Sequence, residues 1–151
     1  MRRNLEEKES IELLKNSYIG SLAYIMGATP YIVPITYYYD SANHTITGYS
    51  AIGHKLDAMR KNPSVALGVN LIDSVANWQS VQVHGTFEEL EGIDAKQTLH
   101  EFSVGVKGIL NHNKKNKARF ISEFSAKIES EAPPVVFRIK IGDIVGKLRK
   151  N

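Results

Sequence analysis

Runs of β-branched and aromatic residues, separated by turn-forming residues, dominate this chain and restrict the folds open to it. Six such runs predict strands at residues 18–26, 31–39, 44–49, 65–72, 78–90 and 135–148. In the fifth run, Val81, Val83 and Phe87 share one face, while polar residues from Ser80 to Thr86 alternate with them. So many strands in a chain of 151 residues predict an antiparallel barrel with its helices outside.

Helical patterns occupy the segments between these runs. We predict helices at residues 10–16 and 52–62, a third that opens with a capping box formed by Asp94 and Gln97, and a fourth at 118–124. Ser10 is placed to cap the first helix, and Ile52, Leu56 and Met59 have helical spacing in the second. Gly142 predicts a bend in the last strand.

Length and composition exclude several classes of protein. A chain of this length predicts one domain over residues 1–151. The absence of cysteine excludes disulfides, thiolate metal sites and cysteine nucleophiles. Neither a signal peptide nor an apolar run of about 20 residues is present, so we expect a cytoplasmic protein without membrane contact. The net charge of +3 permits an anionic ligand but does not predict nucleic-acid binding.

The segment 47–63, TGYSAIGHKLDAMRKNP, indicates a phosphate site. A strand ends, small residues follow, and a helix begins with Lys55 in its first turn, where free N–H groups attract anions. Ser50 can cap the helix or donate to a phosphate, Gly53 permits close approach, and His54 adds a charge that depends on pH. The residues alone fit an ordinary solvated helix equally well.

Pro34 interrupts a run that otherwise has strand character. Proline cannot donate to a sheet ladder, so this backbone lies at an edge or a bulge. A planar heterocycle with N–H and C=O groups could pair with the exposed peptide groups. A simple edge strand is the interpretation that the residues favour.

Three segments in series resemble the pyridoxamine-phosphate-oxidase-like, FMN-binding split-barrel family. They are PYIVPITYYYD, GYSAIGHKLDAMRKNP and WQSVQVHGTFEEL, and the final VFRIKIGDIVGKL is similar to the family's last strand. The resemblance implies a mainly β (α+β) fold: a six- or seven-stranded antiparallel split β-barrel with peripheral helices. It also implies a homodimer with one FMN in each subunit interface.

The resemblance further implies which residues hold the cofactor. Those beside the flavin ring would be Val33, Pro34, Ile35 and Thr36, while Tyr49, Ser50 and Ala51 would lie beside the ribityl phosphate. His54 and Lys55 would bind that phosphate, and Ser80 would reach the flavin from an adjoining strand.

The chain departs from the family pattern at three places. The family usually has arginine at His54, and its nitroimidazole-reductase branch has histidine where Tyr49 stands. The C-terminal arginine signature of pyridoxamine phosphate oxidases is missing, so vitamin B6 oxidation is not expected.

Three hypotheses about function follow. The first is an FMN-dependent oxidoreductase that passes electrons from reduced nicotinamide to a small acceptor, with no catalytic side chain named. The second is a flavin-binding protein for storage or sensing. The third is a single-strand nucleic-acid binder that uses the tyrosines at 37–39 and the basic run at 111–119. Haem or a deazaflavin stays open as the cofactor, whereas the histidines show no metal-ligand spacing, so no metal is expected.

Overall fold

Eight antiparallel strands and three helices make up residues 1–112 and 134–151, the part of the chain that the computed structural model describes. The strands are β1 (Arg2–Asn4), β2 (Ile19–Met26), β3 (Thr29–Thr36), β4 (Tyr38–Asp40), β5 (Thr45–Ser50), β6 (Ser64–Ser74), β7 (Asn77–Glu89) and β8 (Val135–Arg149). The helices are α1 (Glu7–Asn16), α2 (His54–Lys61) and α3 (Gly92–His112). The predicted helix at 118–124 lies outside the described residues. The mainly β fold with peripheral helices is confirmed.

The strands form one sheet that closes on itself as a split barrel. Their order is β3-β2-β6-β7-β8-β5-β4, and β1 pairs with β8. Because β3 and β4 occupy opposite ends of this order but are joined through Tyr37 alone, the sheet must curl until its ends approach each other. In the described part of the chain no ladder pairs β3 with β4, and the barrel is split at that position.

Tyr37 divides what the sequence predicts as a single strand. The predicted run 31–39 is two strands, because its first part pairs with β2 and its last part with β5. Ile35, Tyr37 and Tyr39 are all buried, so the side-chain alternation continues while the pairing partner changes. The Tyr37 N–H donates to the Tyr18 carbonyl at 2.8 Å, and its hydroxyl donates to the Leu14 carbonyl at 2.8 Å.

The two faces of β7 are buried and exposed as the sequence alternation predicts. Val81, Val83 and Phe87 are buried, whereas Gln82 and His84 are exposed. The predicted bend at Gly142 is a β-bulge, because His84 pairs with Asp143 and the next residue pairs with Ile141.

The starts of all three helices differ from the sequence predictions. The N-cap of α1 is Glu6, whose N–H donates to the Glu9 carboxylate at 3.1 Å, while Ser10 is buried inside the helix. α2 begins after Gly53, so Ile52 lies outside it and is 74% exposed. α3 begins at Gly92, two residues before the expected capping box, whose Gln97 side chain instead donates to Glu101 at 3.4 Å. At α1, Glu6 and Glu9 form the capping box that satisfies the helix start.

α3 covers the outside of the barrel next to the end of β5. Its buried residues Phe102, Val106 and Leu110 pack against three tyrosines, Tyr18, Tyr38 and Tyr49. A Cβ at Gly105 would overlap the Tyr38 ring, so glycine permits the close approach of the helix. None of the helices within the described residues is both long and apolar enough to span a membrane.

Candidate functional site

A cavity of about 410 Å³ lies where the edge of β3, the end of β5 and the start of α2 meet. β5 ends at Ser50, and a short loop carries the chain across the barrel rim to α2. This crossing brings together segments that are about 15 residues apart in the sequence. The residues lining the cavity are Ile19, Pro34, Ile35, Thr36, Tyr49, Ser50, Ala51 and Lys55.

The edge of β3 presents unpaired peptide groups to the cavity. β3 is an end strand that pairs only with β2 among the described residues, which confirms the edge position inferred from Pro34. The Tyr37 N–H donates to the carbonyl of Tyr18, the residue opposite it. In an antiparallel pair every second residue bonds to the partner strand, so the peptide groups of Ile35 also face β2. The same alternation directs the peptide groups of Pro34 and Thr36 to the open edge. The Thr36 N–H and two carbonyls are therefore available to a ligand.

The first turn of α2 gives the cavity an anion-attracting end. The first hydrogen bond within the helix runs from the Asp57 N–H to the Gly53 carbonyl at 3.0 Å, so the N–H groups before Asp57 have no partner inside the helix. Apart from its two neighbours in the chain, none of the described residues has an atom within 4 Å of the position that a Cβ on Gly53 would occupy. Lys55 is half-buried beside it. The Ser50 hydroxyl donates to the Ala51 carbonyl at 2.8 Å, so the prediction that Ser50 caps the helix is wrong.

Tyr49 contributes an uncharged aromatic side chain to the cavity lining. Its ring meets Phe102 edge to face, with centroids 5.2 Å apart, and burial raises the pKa of its hydroxyl above the ordinary value of 10.0. The phenol is therefore protonated at physiological pH. Among the described residues that line the cavity, Lys55 is the only other ionisable one, and none is a carboxylate.

The other three predicted site residues lie outside the cavity lining. Val33 packs against the barrel core, and the Ser80 hydroxyl donates to Asn70 at 2.7 Å on the outer face of β7. His54 turns its ring toward the β2–β3 hairpin, where its Nδ1 lies 3.1 Å from the Tyr24 hydroxyl. Contact of these three residues with a cofactor stays a prediction.

Ile19 lines the cavity but was absent from the predicted set. It is 50% exposed on the outer face of β2, opposite Thr36. An isoleucine within an apolar strand run has the pattern of a core residue, so no sequence signal marked it.

The other described residues considered as candidates for function lie outside the cavity lining. Tyr37 and Tyr39, which the nucleic-acid hypothesis would use, are buried in the core. His84 is exposed and lies 3.2 Å from the Asp143 carboxylate, as expected of a hydrogen-bonded surface histidine. The basic run 111–119 lies almost wholly outside the described residues. Within residues 1–112 and 134–151, no three histidine or carboxylate side chains form a cluster that could hold a metal ion.

Comparison with known sequences and structures points to one group of proteins. A family model described as pyridoxamine 5′-phosphate oxidase matches residues 6–147. An uncharacterized protein of Rhizobium meliloti is 39% identical over 88 residues, and that match spans 57% of each chain. An FAD-binding protein of Mesorhizobium loti shares 29% identity, with a TM-score of 0.77 over 100% of this chain and 98% of the other.

A haem-binding protein of Mycobacterium smegmatis has the same fold. It is 11% identical, with a TM-score of 0.65 over 93% of this chain and 54% of the other. Proteins similar in fold to this chain thus carry different cofactors.

Proposed function

The chain belongs to the pyridoxamine 5′-phosphate oxidase family, a family of flavin-binding split barrels, and we propose that it binds a flavin nucleotide in the cavity beside β3. One observation carries the proposal: the open peptide edge of β3 and the first turn of α2, which includes Lys55, border the same cavity. A flavin nucleotide has a flat ring with N–H and C=O groups at one end and a phosphate at the other. The cavity offers groups that match the ring at one end and the phosphate at the other.

The described residues fit FMN in two places. The peptide groups of Pro34 and Thr36 suit the ring, because an edge that donates and accepts can pair with its imide group. The N–H groups at the start of α2 and the Lys55 ammonium suit the phosphate, because the helix dipole and the lysine charge both favour an anion. Tyr49 stays neutral and adds no charge that would repel the phosphate.

The proposed chemistry is that of the bound cofactor. Among the described residues, the cavity lining holds no carboxylate and no imidazole, and its ionisable side chains are those of Tyr49 and Lys55. A bound flavin would supply electron and hydride transfer, while the chain contributes binding, orientation and electrostatics. We therefore propose an oxidoreductase that passes electrons from reduced nicotinamide to a small acceptor such as a nitro compound, a quinone or oxygen. A chain without cysteine suits a reducing compartment, and we place the protein in the cytoplasm.

We also propose a homodimer that completes the site. The outer face of the sheet carries exposed apolar residues, among them Ile72 (67%), Val145 (42%) and Ile19 (50%), which also lines the cavity. Exposed apolar patches of this kind mark interfaces, and a second copy would cover them together with the open side of the cavity. Light scattering on the flavin-loaded protein should give the mass of two chains. A monomeric mass would contradict the dimer.

The absorption spectrum of the purified protein is the first test of the cofactor. A flavin spectrum and FMN binding much tighter than riboflavin binding are expected, because riboflavin lacks the phosphate. A colourless protein that binds neither compound would refute the proposal. A haem or deazaflavin spectrum would show that the cofactor is one of those groups and not a flavin. Steady NAD(P)H consumption with an acceptor distinguishes the oxidoreductase from a storage or sensing protein, which would bind flavin without turnover.

A further inference from the structure

Three aromatic rings form an exposed platform beside the start of α2. Tyr24 is 4% exposed and anchors the platform in the core. Tyr31 stacks on it with centroids 5.5 Å apart and an interplanar angle of 12°. His54 meets Tyr31 edge to face at 4.7 Å. We call Tyr24, Tyr31 and His54 the ring platform.

The outer rings of the platform are fixed in place yet open to solvent. The 3.1 Å contact between His54 Nδ1 and the Tyr24 hydroxyl holds the imidazole. Tyr31 nevertheless stays 38% exposed, and His54 is exposed. Two rigid aromatic side chains at a surface lose little side-chain entropy when a ligand binds, which makes them suitable for stacking a planar base.

The platform lies next to the phosphate end of the proposed flavin site. His54 directly precedes Lys55, and Tyr31 is three residues before Pro34 on β3, about 10 Å along the strand. The open position at Gly53 lies immediately before His54. A ligand whose phosphate lies at the start of α2 can thus extend from the cavity lining toward the platform.

We propose that the ring platform binds the adenine base of FAD. The inference rests on the proposed function, because it takes the phosphate subsite as its starting point. The flavin mononucleotide part of FAD would occupy the cavity, and the adenosine attached through the second phosphate would reach Tyr31 and His54. This also gives His54, which lies outside the cavity lining, a role distinct from that of Lys55.

Calorimetric titration with FMN and with FAD tests the platform. The parent protein should bind FAD about 5- to 150-fold more tightly than FMN, the range for one base–aromatic contact. Tyr31→Thr and His54→Ala should each reduce this preference, and Tyr31→Thr should leave FMN affinity within about twofold. Tyr31→Phe, which keeps the ring, should retain it. Ile32→Thr is the matched control, since Ile32 is the neighbouring β3 residue and is 72% exposed.

The outcomes separate the platform from the flavin site itself. Equal affinities for FMN and FAD in the parent protein would overturn the proposed role of the ring platform and leave the proposed function intact. An FAD preference that survives both Tyr31→Thr and His54→Ala would also overturn it. If these variants weaken only NADH binding, the base belongs to the nicotinamide nucleotide and the FAD assignment is wrong. If the parent protein binds neither flavin, the proposed function and the platform both fail.

Discussion

Replacement of Lys55 by alanine tests the phosphate end of the site most directly. Lys55 is half-buried in the first turn of α2 and lines the cavity, so its ammonium can approach an anion that also meets the backbone N–H groups. Alanine is a good helix former and should leave α2 intact. The substitution removes one positive charge from the cavity lining.

The magnitude follows from the kind of contact that is lost. A hydrogen bond to a charged group contributes about 1.5–3 kcal/mol, which is roughly a 10- to 150-fold change in affinity. The N–H groups of α2 remain, so FMN binding should weaken within that range and not disappear. Riboflavin affinity should stay within about twofold of the parent value, because riboflavin has no phosphate.

Quenching of flavin fluorescence gives both affinities in the same buffer. Lys61→Ala is the matched control, because it removes the same charge from the last turn of the same helix. Lys61 lies six residues further along, about 9 Å up the helix axis. At that distance water and salt screen the interaction, and we expect less than about a threefold effect on FMN binding.

Two results would refute the reasoning. If Lys55→Ala binds FMN as the parent protein does, the lysine is an ordinary solvated helix residue and the phosphate lies elsewhere. If Lys55→Ala weakens FMN and riboflavin equally, the side chain supports the cavity and does not contact a phosphate.

The remaining predictions concern the barrel that holds the site. Tyr37→Phe should lower the free energy of unfolding by about 1–3 kcal/mol, because it leaves the buried Leu14 carbonyl at the end of α1 without its donor; an unchanged urea midpoint would contradict this. Gly105→Ala should lower the melting temperature, with a cost of about 1–3 kcal/mol, because the added methyl group overlaps a tyrosine ring. At Gly108 in the same helix, an added Cβ meets no atom of the other described residues within 4 Å outside the nearby helix backbone, so Gly108→Ala should raise the melting temperature. Melting curves of the two variants that shift in the same direction would refute the packing of α3. The pKa of Glu9 is lowered to about 2 from 4.5, chiefly by its hydrogen bond with an arginine side chain. Its stabilising effect is therefore present above pH 4.5 and is lost as the pH falls toward 2, so Glu9→Gln should reduce the acid sensitivity of unfolding between those values; an identical pH profile would show that the pair contributes nothing.

Much of the local structure can be predicted from particular residues. The alternation in β7 predicts its buried and exposed faces, because side chains point to opposite sides of a strand. Pro34 predicts an edge, because its missing N–H cannot be accommodated inside a sheet. Where several residues can serve equally well, as at the start of α1, the local pattern selects the wrong one.

The candidate site is only partly predictable for the same reason. The strand-to-helix segment around Ser50 and Lys55 indicates a phosphate site by itself. Nothing local shows that Ile19 borders the same cavity or that the His54 ring turns toward Tyr24. Both depend on which strands become neighbours when the sheet closes.

The sequence by itself determined the elements of this protein: a series of strands, an edge at Pro34 and a helix start with Lys55. These depend on contacts between residues that are close along the chain. Only the tertiary structure decided the sheet order, the change of pairing partner at Tyr37 and the meeting of β3, β5 and α2 around one cavity. Such pairings join residues far apart along the chain, and many registers bury the same apolar faces, so the closure of the whole barrel selects among them.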